Sequence, residues 1–276
     1  MEFLIDHLTK PLANLHSTKK SLRTVRAWSL PWTIPIIALI SWFLLTKGQS
    51  SQSLFPAPIE VWEAAIRLFK DGSLVENFAI STLRAGAGFI IGGLVGFLLG
   101  VINGQFKWAE EILNTPIQMI RNVPHLALLP VILIWFGIGE TAKIVLISLG
   151  TFFPIYLNAF HGIRYIDKDL LEMGKTYGLT RYELFKDIIL PGAMASIMIG
   201  IRQSLGRMWT TLIVAETVAA KSGIGYMATN AREFMLMDVI VLSIIAYALL
   251  GSLSDFAAGV IERYLLRWHS NYRKEA

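Results

Sequence analysis

The sequence predicts an all-α polytopic membrane protein with six transmembrane helices and both termini in the cytoplasm. Hydrophobic residues make up 54% of the 276 residues and charged residues only 16%, against roughly a quarter in an ordinary soluble domain. A fold of this composition would expose large apolar patches in water, whereas a bilayer accepts them. Six apolar runs account for the predicted spans, near residues 28–46, 78–102, 117–137, 142–161, 193–214 and 236–259.

The positions of the basic residues orient these spans. Sixteen of the 25 Lys and Arg residues lie in the first 27 residues, in the loops after the second and fourth runs, and at the C-terminus. Six, including Arg84, belong to the alternate segments. Because Lys and Arg collect in cytoplasmic loops, both termini are predicted to be cytoplasmic. The same bias accounts for the net charge of +5 without a nucleic-acid partner.

The predicted domain organisation is a cytoplasmic tail over residues 1–27 and a transmembrane domain over 28–276. No small-residue cleavage site follows the first apolar run, so the tail is not a secretory signal. The third run contains Pro124 and Pro130, which predicts a kinked or broken span. In the second run, glycines recur every four residues, a pattern that lets membrane helices approach closely.

One polar stretch interrupts the apolar pattern, "EMGKTYGLTRYELFKDIILP" at residues 172–191. Asp167 is placed to cap a first short helix, and Gly178 to end it in a left-handed conformation. Thr180 and Glu183 have the spacing of a capping box that starts a second helix. Pro191 is predicted to begin the next membrane helix. Such a helix–glycine–helix elbow presents a fixed surface to a soluble partner.

The spacing of Glu172, Gly178 and the Ile188-x-Leu190-Pro191 ending resembles the cytoplasmic EAA loop of ABC-importer permeases, here over residues 161–191. The two alanines of that loop are replaced by Met173 and Gly174. The resemblance implies a type I ABC-importer permease fold and a coupling helix that contacts a separate ATPase. The implied coupling residues are Glu172, Met173, Gly174, Tyr177, Gly178 and Leu179.

Two further stretches, "RNVPHLALLPVILIWFGIGETAKI" and "FPIYLNAFHGIRYID", resemble the aliphatic-sulfonate permeases, within a group that also serves taurine and nitrate. The resemblance covers roughly residues 56–268. It implies an ATP-driven importer of aliphatic sulfonates in a bacterial plasma membrane, with taurine, nitrate or another small anion as the alternative. The implied partners are two ATP-binding subunits, a second copy of the chain (a homodimer), an extracytoplasmic substrate-binding protein and the bilayer.

The chain itself is predicted to carry no catalytic residue, metal or cofactor, because ATP would bind to the partner subunit. Gly174-Lys175-Thr176 resembles the end of a phosphate-binding loop, but Asp169 stands where its first glycine is required and no strand precedes it. The chain has no cysteine, which excludes thiolate nucleophiles and Cys-ligated metals. Two alternatives, an ion-coupled carrier and a membrane-embedded enzyme, would need intramembrane carboxylates or a nucleophile–base pair, respectively.

An anionic substrate needs cations or N–H donors along its path. The sequence offers Arg202 and Arg207 within the fifth span, Glu216 near its outer end, and His125 at the mouth of the third. Each has a second interpretation: the arginines could form salt bridges between helices, Glu216 could pair with an arginine rather than line the outer mouth, and His125 could satisfy a carbonyl rather than gate.

Overall fold

Every regular element in the described part of the chain is a helix, as the composition predicts. The computed structural model describes residues 30, 32–47 and 55–268, so the predicted tail over residues 1–27 lies outside the described residues. The chain divides into two units, Met1–Trp62 and Glu63–Ala276.

The first unit contains a short apolar helix, α1 (Trp32–Thr46). The indole Nε1 of Trp42 donates a hydrogen bond to the carbonyl oxygen of Pro56 at 2.9 Å. The same ring meets Phe55 edge-on, with centroids 6.4 Å apart. Helix α2 (Pro58–Lys70) begins in this unit and ends in the second.

Four helical stretches of the second unit are long and apolar enough to cross a membrane, namely Ser73–Gln105, Glu140–Arg164, Arg181–Val218 and Met237–Leu265. The helices in chain order are α3 (Ser73–Gln105), α4 (Lys107–Arg121), α5 (Leu129–Phe136), α6 (Glu140–Arg164), α7 (Lys168–Thr176), α8 (Arg181–Glu183), α9 (Leu190–Ala219), α10 (Ile224–Glu233) and α11 (Met237–Leu265).

The predicted third span is broken, as its prolines indicate. Lys107–Arg121 and His125–Phe136 are together long and apolar enough to form one span, but the two helices meet at an angle of 83°. Pro124 disfavours a helical conformation for the residue before it, so α4 ends at Arg121 and a 3₁₀ turn, His125–Leu128, leads into α5. Helix α4 starts ten residues before the predicted run because its sequence is amphipathic rather than uniformly apolar.

Helices α3 and α6 lie in backbone contact along the glycine stripe of the second run. A Cβ atom at Gly92 would stand 2.1 Å from the carbonyl oxygen of Ser148. At Gly96 and Gly100 it would stand 2.6 Å and 2.7 Å from the carbonyl oxygens of Phe152 and Tyr156. Only glycine permits these approaches, so the stripe serves packing.

Helix α9 is attached to α6 by hydrogen bonds from its serine side chains to the α6 backbone. The hydroxyl of Ser204 donates to the carbonyl oxygen of Thr151 at 2.8 Å. The hydroxyl of Ser196 donates to the carbonyl oxygen of Asn158, also at 2.8 Å. Helix α11 packs against α9, where the indole of Trp209 donates to Ser254 at 2.9 Å. Helix α6 is therefore the central element on which α3 and α9 are placed.

The outward sides of α3 and α11 consist of large apolar side chains. Ile90, Leu94 and Leu98 recur every fourth residue on α3 and are at least half exposed. Leu253 and Phe256 are similarly exposed on α11. Exposed apolar faces on helices of this length fit a hydrocarbon environment, which makes the chain a multi-pass membrane protein.

The glycine stripe generates a stability prediction. Gly92→Ala should lower the thermal unfolding midpoint of the detergent-solubilised protein, because overpacking against a rigid carbonyl costs about 1–3 kcal/mol. Gly86→Ala is the matched control on the same helix, since a Cβ atom there meets nothing within 4 Å. An equal midpoint for the two variants would contradict the backbone contact between α3 and α6.

Candidate functional site

The polar stretch folds as an elbow whose first limb is α7. The cap predicted at Asp167 is present, since its carboxylate accepts the backbone N–H two residues on at 2.9 Å. At the other end Gly178 has φ +79°. Its N–H donates to the carbonyl of Lys175 at 3.0 Å, and the N–H of Leu179 donates to that of Gly174 at 3.1 Å. These two bonds form a Schellman motif, which fixes the corner of the elbow.

The second limb starts with the predicted capping box. The Thr180 hydroxyl oxygen accepts the backbone N–H of Glu183, and the Glu183 carboxylate accepts the backbone N–H of Thr180 at 2.8 Å. That carboxylate also accepts the Thr180 hydroxyl at 2.7 Å. These donors favour the ionised form and lower the pKa of the exposed Glu183 carboxyl.

The α-helix α9 begins at Leu190 with Pro191 in its first turn, as the sequence predicts, although no break in the helix precedes it. Residues Leu184–Ile189 form a π-helical turn that leads directly into α9, so Arg181–Val218 is one continuous helix. Pro191 has no N–H and would clash with a carbonyl one turn back in a regular α-helix. The wider π turn before it is the kind of local irregularity that accommodates such a residue.

The two limbs pack closely where the EAA loop of the resemblance has an alanine. Gly174 is buried, and a Cβ atom at this position would stand 2.6 Å from Cδ1 of Ile188 and 2.7 Å from Cδ1 of Leu184. Both atoms are ends of flexible side chains. Gly174 therefore allows the branched side chains of the second limb to lie directly against α7.

The surface of the elbow is rich in exposed aromatic and apolar side chains. Of the predicted coupling residues, Glu172, Met173, Tyr177 and Gly178 are exposed, whereas Gly174 is buried and Leu179 is half-buried. The Tyr177 side chain is 80% exposed. Sequence reasoning missed Tyr165, Leu170 and Tyr182, which are also exposed around the elbow. Aromatic residues exposed on a rigid element are typical of a protein interface.

A second polar cluster is buried among the spans around Glu216. Its side chain is fully buried and accepts a hydrogen bond from the Arg84 guanidinium at 2.8 Å. The hydroxyl of Ser81 donates to it at 2.8 Å, that of Tyr247 at 3.0 Å and the N–H of Gly225 at 2.9 Å. The structure thus shows Glu216 paired with an arginine, one of the two interpretations that the sequence allowed.

Arg84 joins this cluster to the start of α6 and to the loop after α9. The charge distribution assigns it to an extracytoplasmic segment, but it lies inside α3 with a buried side chain. It contacts both carboxylate oxygens of Glu140 and donates to the carbonyl of Ser222 at 2.6 Å. Lys143 also donates to Glu140, at 2.8 Å. An arginine within an apolar run was the signal that sequence reasoning could have used.

Arg202 forms salt bridges with α11. Its guanidinium donates to both oxygens of Asp255 at 3.0 Å and to Glu262 at 3.1 Å. The geometry is bidentate, which is the strongest arrangement for an arginine–carboxylate pair. The positive charge of Arg202 is therefore neutralised by two carboxylates of the neighbouring helix.

The remaining two predicted path residues lie near each other along α9. His125 is half-buried, and its Nε2 lies 3.1 Å from the hydroxyl of Thr211. This contact fixes the break between α4 and α5 against α9. Arg207, one helical turn before Thr211, is exposed. The structure thus separates the four residues into a buried acid, a neutralised cation, a packed histidine and an exposed cation.

Residues 92–267 match the family profile of binding-protein-dependent transport system inner membrane components. The chain belongs to this family. The matched range runs from the glycine stripe of α3 through the elbow to α11, so it includes the elbow and Glu216 but not Ser81 and Arg84.

Named relatives support the assignment over almost the whole chain. The aliphatic sulfonates transport permease protein SsuC of Escherichia coli (strain K12) is 52% identical over 91% of this chain and 98% of that protein. The SsuC permease protein of Bacillus subtilis (strain 168) is 36% identical to this chain, over 92% of each protein. The taurine transport system permease protein TauC of Escherichia coli (strain K12) is 33% identical, over 86% and 88%.

Solved structures share the fold. A chain from an amino acid ABC transporter crystallised with histidines superposes with a TM-score of 0.59 at 17% identity, covering 73% of this chain and 97% of that one. A chain from an inward-facing form of the MetNI methionine ABC transporter gives a TM-score of 0.55 at 22% identity, covering 70% and 94%. At these identities the likeness concerns the fold alone.

The buried cluster generates a second prediction. Glu216→Gln should destabilise the detergent-solubilised protein by about 1–3 kcal/mol, because it removes one of the two carboxylates that neutralise the buried Arg84 and leaves only Glu140. Asp238→Asn is the control, since it breaks the exposed Arg67–Asp238 pair (2.6 Å), which is worth about 0–1 kcal/mol.

Thermal or denaturant unfolding of both variants measures the difference. Pairing Glu216→Gln with Arg84→Gln in one chain should recover part of the loss, because no buried charge of that pair remains. A double variant less stable than the sum of the two single changes would contradict the ion pair as the cause.

Proposed function

We propose that this chain is the membrane-spanning permease subunit of an ATP-driven importer of aliphatic sulfonates. The observation that carries the proposal is the 52% identity to the SsuC permease over nearly the full length of both proteins. The taurine permease is a second candidate model for the substrate, at 33% identity. The lower identity to it favours the sulfonate assignment.

The proposed topology has six spans and cytoplasmic termini in a bacterial plasma membrane. The spans are α1, α3, the broken pair α4–α5, α6, α9 and α11. The four long helices and the bent pair support five of them, and the apolar α1 supports the sixth although it has only 15 residues. The excess of basic residues in the segments between alternate spans supports the orientation.

The elbow is proposed to be the element that couples the chain to its ATPase. It is exposed, rigidly capped at both ends and rich in interfacial side chains, which supports a docking role for Glu172, Met173, Tyr177 and Gly178. Gly174 and Leu179 act from within, by holding the two limbs together. ATP is bound and hydrolysed by the partner subunit, so this chain contributes no catalytic residue and no cofactor.

The proposed assembly contains two copies of this chain, two ATP-binding subunits and an extracytoplasmic substrate-binding protein. The family description, which names binding-protein-dependent transport, supports the last of these. Closure of the ATPase pair would bring the two elbows together and move the attached spans as rigid bodies between inward- and outward-facing states. The continuous helix from the elbow into α9 supports that transmission.

The coupling proposal is tested by a matched pair of glycine variants. Gly178 and Gly72 have φ of +79° and +80°, and a Cβ atom at either meets nothing within 4 Å. Gly178→Asp and Gly72→Asp therefore impose equal local strain of about 1–2 kcal/mol. Co-purification with the ATP-binding subunit in detergent should be lost for Gly178→Asp and retained for Gly72→Asp.

Either of two results would contradict the proposed coupling role. The first is an ATPase complex that survives both changes unaltered. The second is a wild-type chain that never binds the ATPase. That result would favour the alternative hypothesis of an ion-coupled carrier.

The substrate proposal is tested with the assembled complex in proteoliposomes that contain the binding protein. Binding protein loaded with a short alkanesulfonate should stimulate ATP hydrolysis and uptake more than binding protein offered taurine or nitrate. Complex formed without the binding protein is the control for basal hydrolysis. Stronger stimulation by taurine would replace the sulfonate assignment by the second candidate.

A further inference from the structure

The exposed side of α9 differs in chemistry from the exposed sides of α3 and α11. Five exposed residues recur on it at intervals of three, four and seven, which places them on one face of the helix. We call them the α9 stripe: Gln203, Gly206, Arg207, Thr210 and Thr217. The exposed residues that recur in the same way on α3 are Ile90, Leu94 and Leu98, all of them apolar. Ile199, one turn before Gln203, is exposed on the same face and apolar, so the stripe is polar from Gln203 onward, where α3 and α11 are suited to lipid.

The stripe faces open space in the described part of the chain. A Cβ atom at Gly206 would meet nothing within 4 Å. The Thr210 hydroxyl bonds only to carbonyls of its own helix, at Gly206 and Arg207. Among the described residues the side chains of Gln203 and Arg207 make no hydrogen bond and no ion pair. Their donors are thus available to a ligand.

The position of Arg207 along α9 makes lipid a costly environment for its side chain. It lies 12 residues before Ala219, which corresponds to about 18 Å along the axis at the helical rise. Leu190, at the other end, is farther still. An unpaired guanidinium at such depth is costly in hydrocarbon and is found facing a water-filled cavity or another protein.

Arg202 does not offer the same chemistry although it is close in sequence. It lies about 140° away around the helix, and Asp255 and Glu262 already accept its donors. A small anion would have to displace two carboxylates to bind there. Arg207 has no such competitor among the described residues, so of the two arginines it is the one whose charge is available.

We propose that the α9 stripe lines the aqueous path and that Arg207, together with Gln203 and Thr210, contacts the sulfonate group of the substrate. This inference rests on the proposed function. A sulfonate is a permanent anion with three acceptor oxygens, and the stripe offers a guanidinium fork and an amide N–H₂ one turn apart. The Thr210 hydroxyl can add a third donor when it leaves the backbone carbonyls of Gly206 and Arg207. These groups are exposed rather than enclosed, which suits a site that must release its ligand.

The absence of cysteine from the chain allows a direct test. Thr210→Cys introduces a single thiol on the stripe, and Leu94→Cys is the matched control on the apolar side of α3. The complex with its ATPase is placed in nanodiscs, so that reagents reach both membrane faces. Each variant is treated with two methanethiosulfonate reagents of similar size, one carrying a sulfonate and the other a trimethylammonium group.

The Thr210→Cys thiol should react with the sulfonate reagent, whereas the Leu94→Cys thiol should react with neither. Adding Arg207→Gln to Thr210→Cys should slow the sulfonate reagent about tenfold, because the attraction of one nearby unit charge is lost. The same change should accelerate the trimethylammonium reagent. Adding Asp238→Asn, a charge change away from the stripe, should leave both rates unchanged.

Two outcomes would overturn the proposal. A Thr210→Cys thiol that reacts with neither reagent would show that the stripe is covered, by a second copy or by lipid. Rates that do not depend on Arg207 would show that the path does not select anions there.

The test does not depend on transport, so it is distinguishable from failure of the proposed function. If the Arg207-dependent rates are found but loaded binding protein does not stimulate ATP hydrolysis with alkanesulfonates, the stripe is an anion path and the substrate assignment is wrong.

Discussion

The approach of α3 to α6 sets the geometry of the second unit. Carbonyl oxygens of α6 lie only 2.1–2.7 Å from the positions that Cβ atoms at Gly92, Gly96 and Gly100 would take, so the separation of the two backbones is limited by backbone atoms that cannot move aside. In lipid, helices gain little from burying apolar surface, and close packing of this kind supplies much of their association. Helix α6 then carries α9 through hydroxyl–carbonyl bonds, which brings Glu216 within reach of Arg84.

The charges among the spans follow from the cost of an ion in an apolar medium. Arg84 and Glu216 are buried and satisfy each other, with Ser81 and Tyr247 completing the carboxylate's hydrogen bonds. Arg202 is partly exposed and is paired twice. Arg207 alone of these four groups is exposed without an ion pair in the described chain. The degree of neutralisation thus separates groups that hold the helices together from a group that is available to a ligand.

The sequence predicts those features that depend on neighbouring residues. The caps at Asp167, Gly178 and Thr180 each need only residues within a few positions, and all three were confirmed. Arg84 and Glu216 lie 132 positions apart, so no spacing rule could pair them. The start of α9 near Pro191 was also predicted, but the π turn that joins it to the elbow was not, because Leu184 and Ile188 pack there against α7, which local rules do not anticipate. The break between α4 and α5 was predicted in part. The prolines indicate that the span is broken, but the angle between the two helices depends on their tertiary packing.

The path from the elbow to the α9 stripe contains no flexible joint. Arg181–Val218 is one helix, and its only irregularity, the π turn, is packed against α7 at Gly174. A rotation of the elbow must therefore turn α9 as a unit or break the close contact between the two limbs. The Ser204 and Ser196 bonds to α6 oppose free rotation, which favours movement of α9 together with α6 and with the α3 helix packed against it. In the proposed coupling, a force applied at the elbow would displace this packed block of helices, and the exposed stripe with Arg207 would move with it.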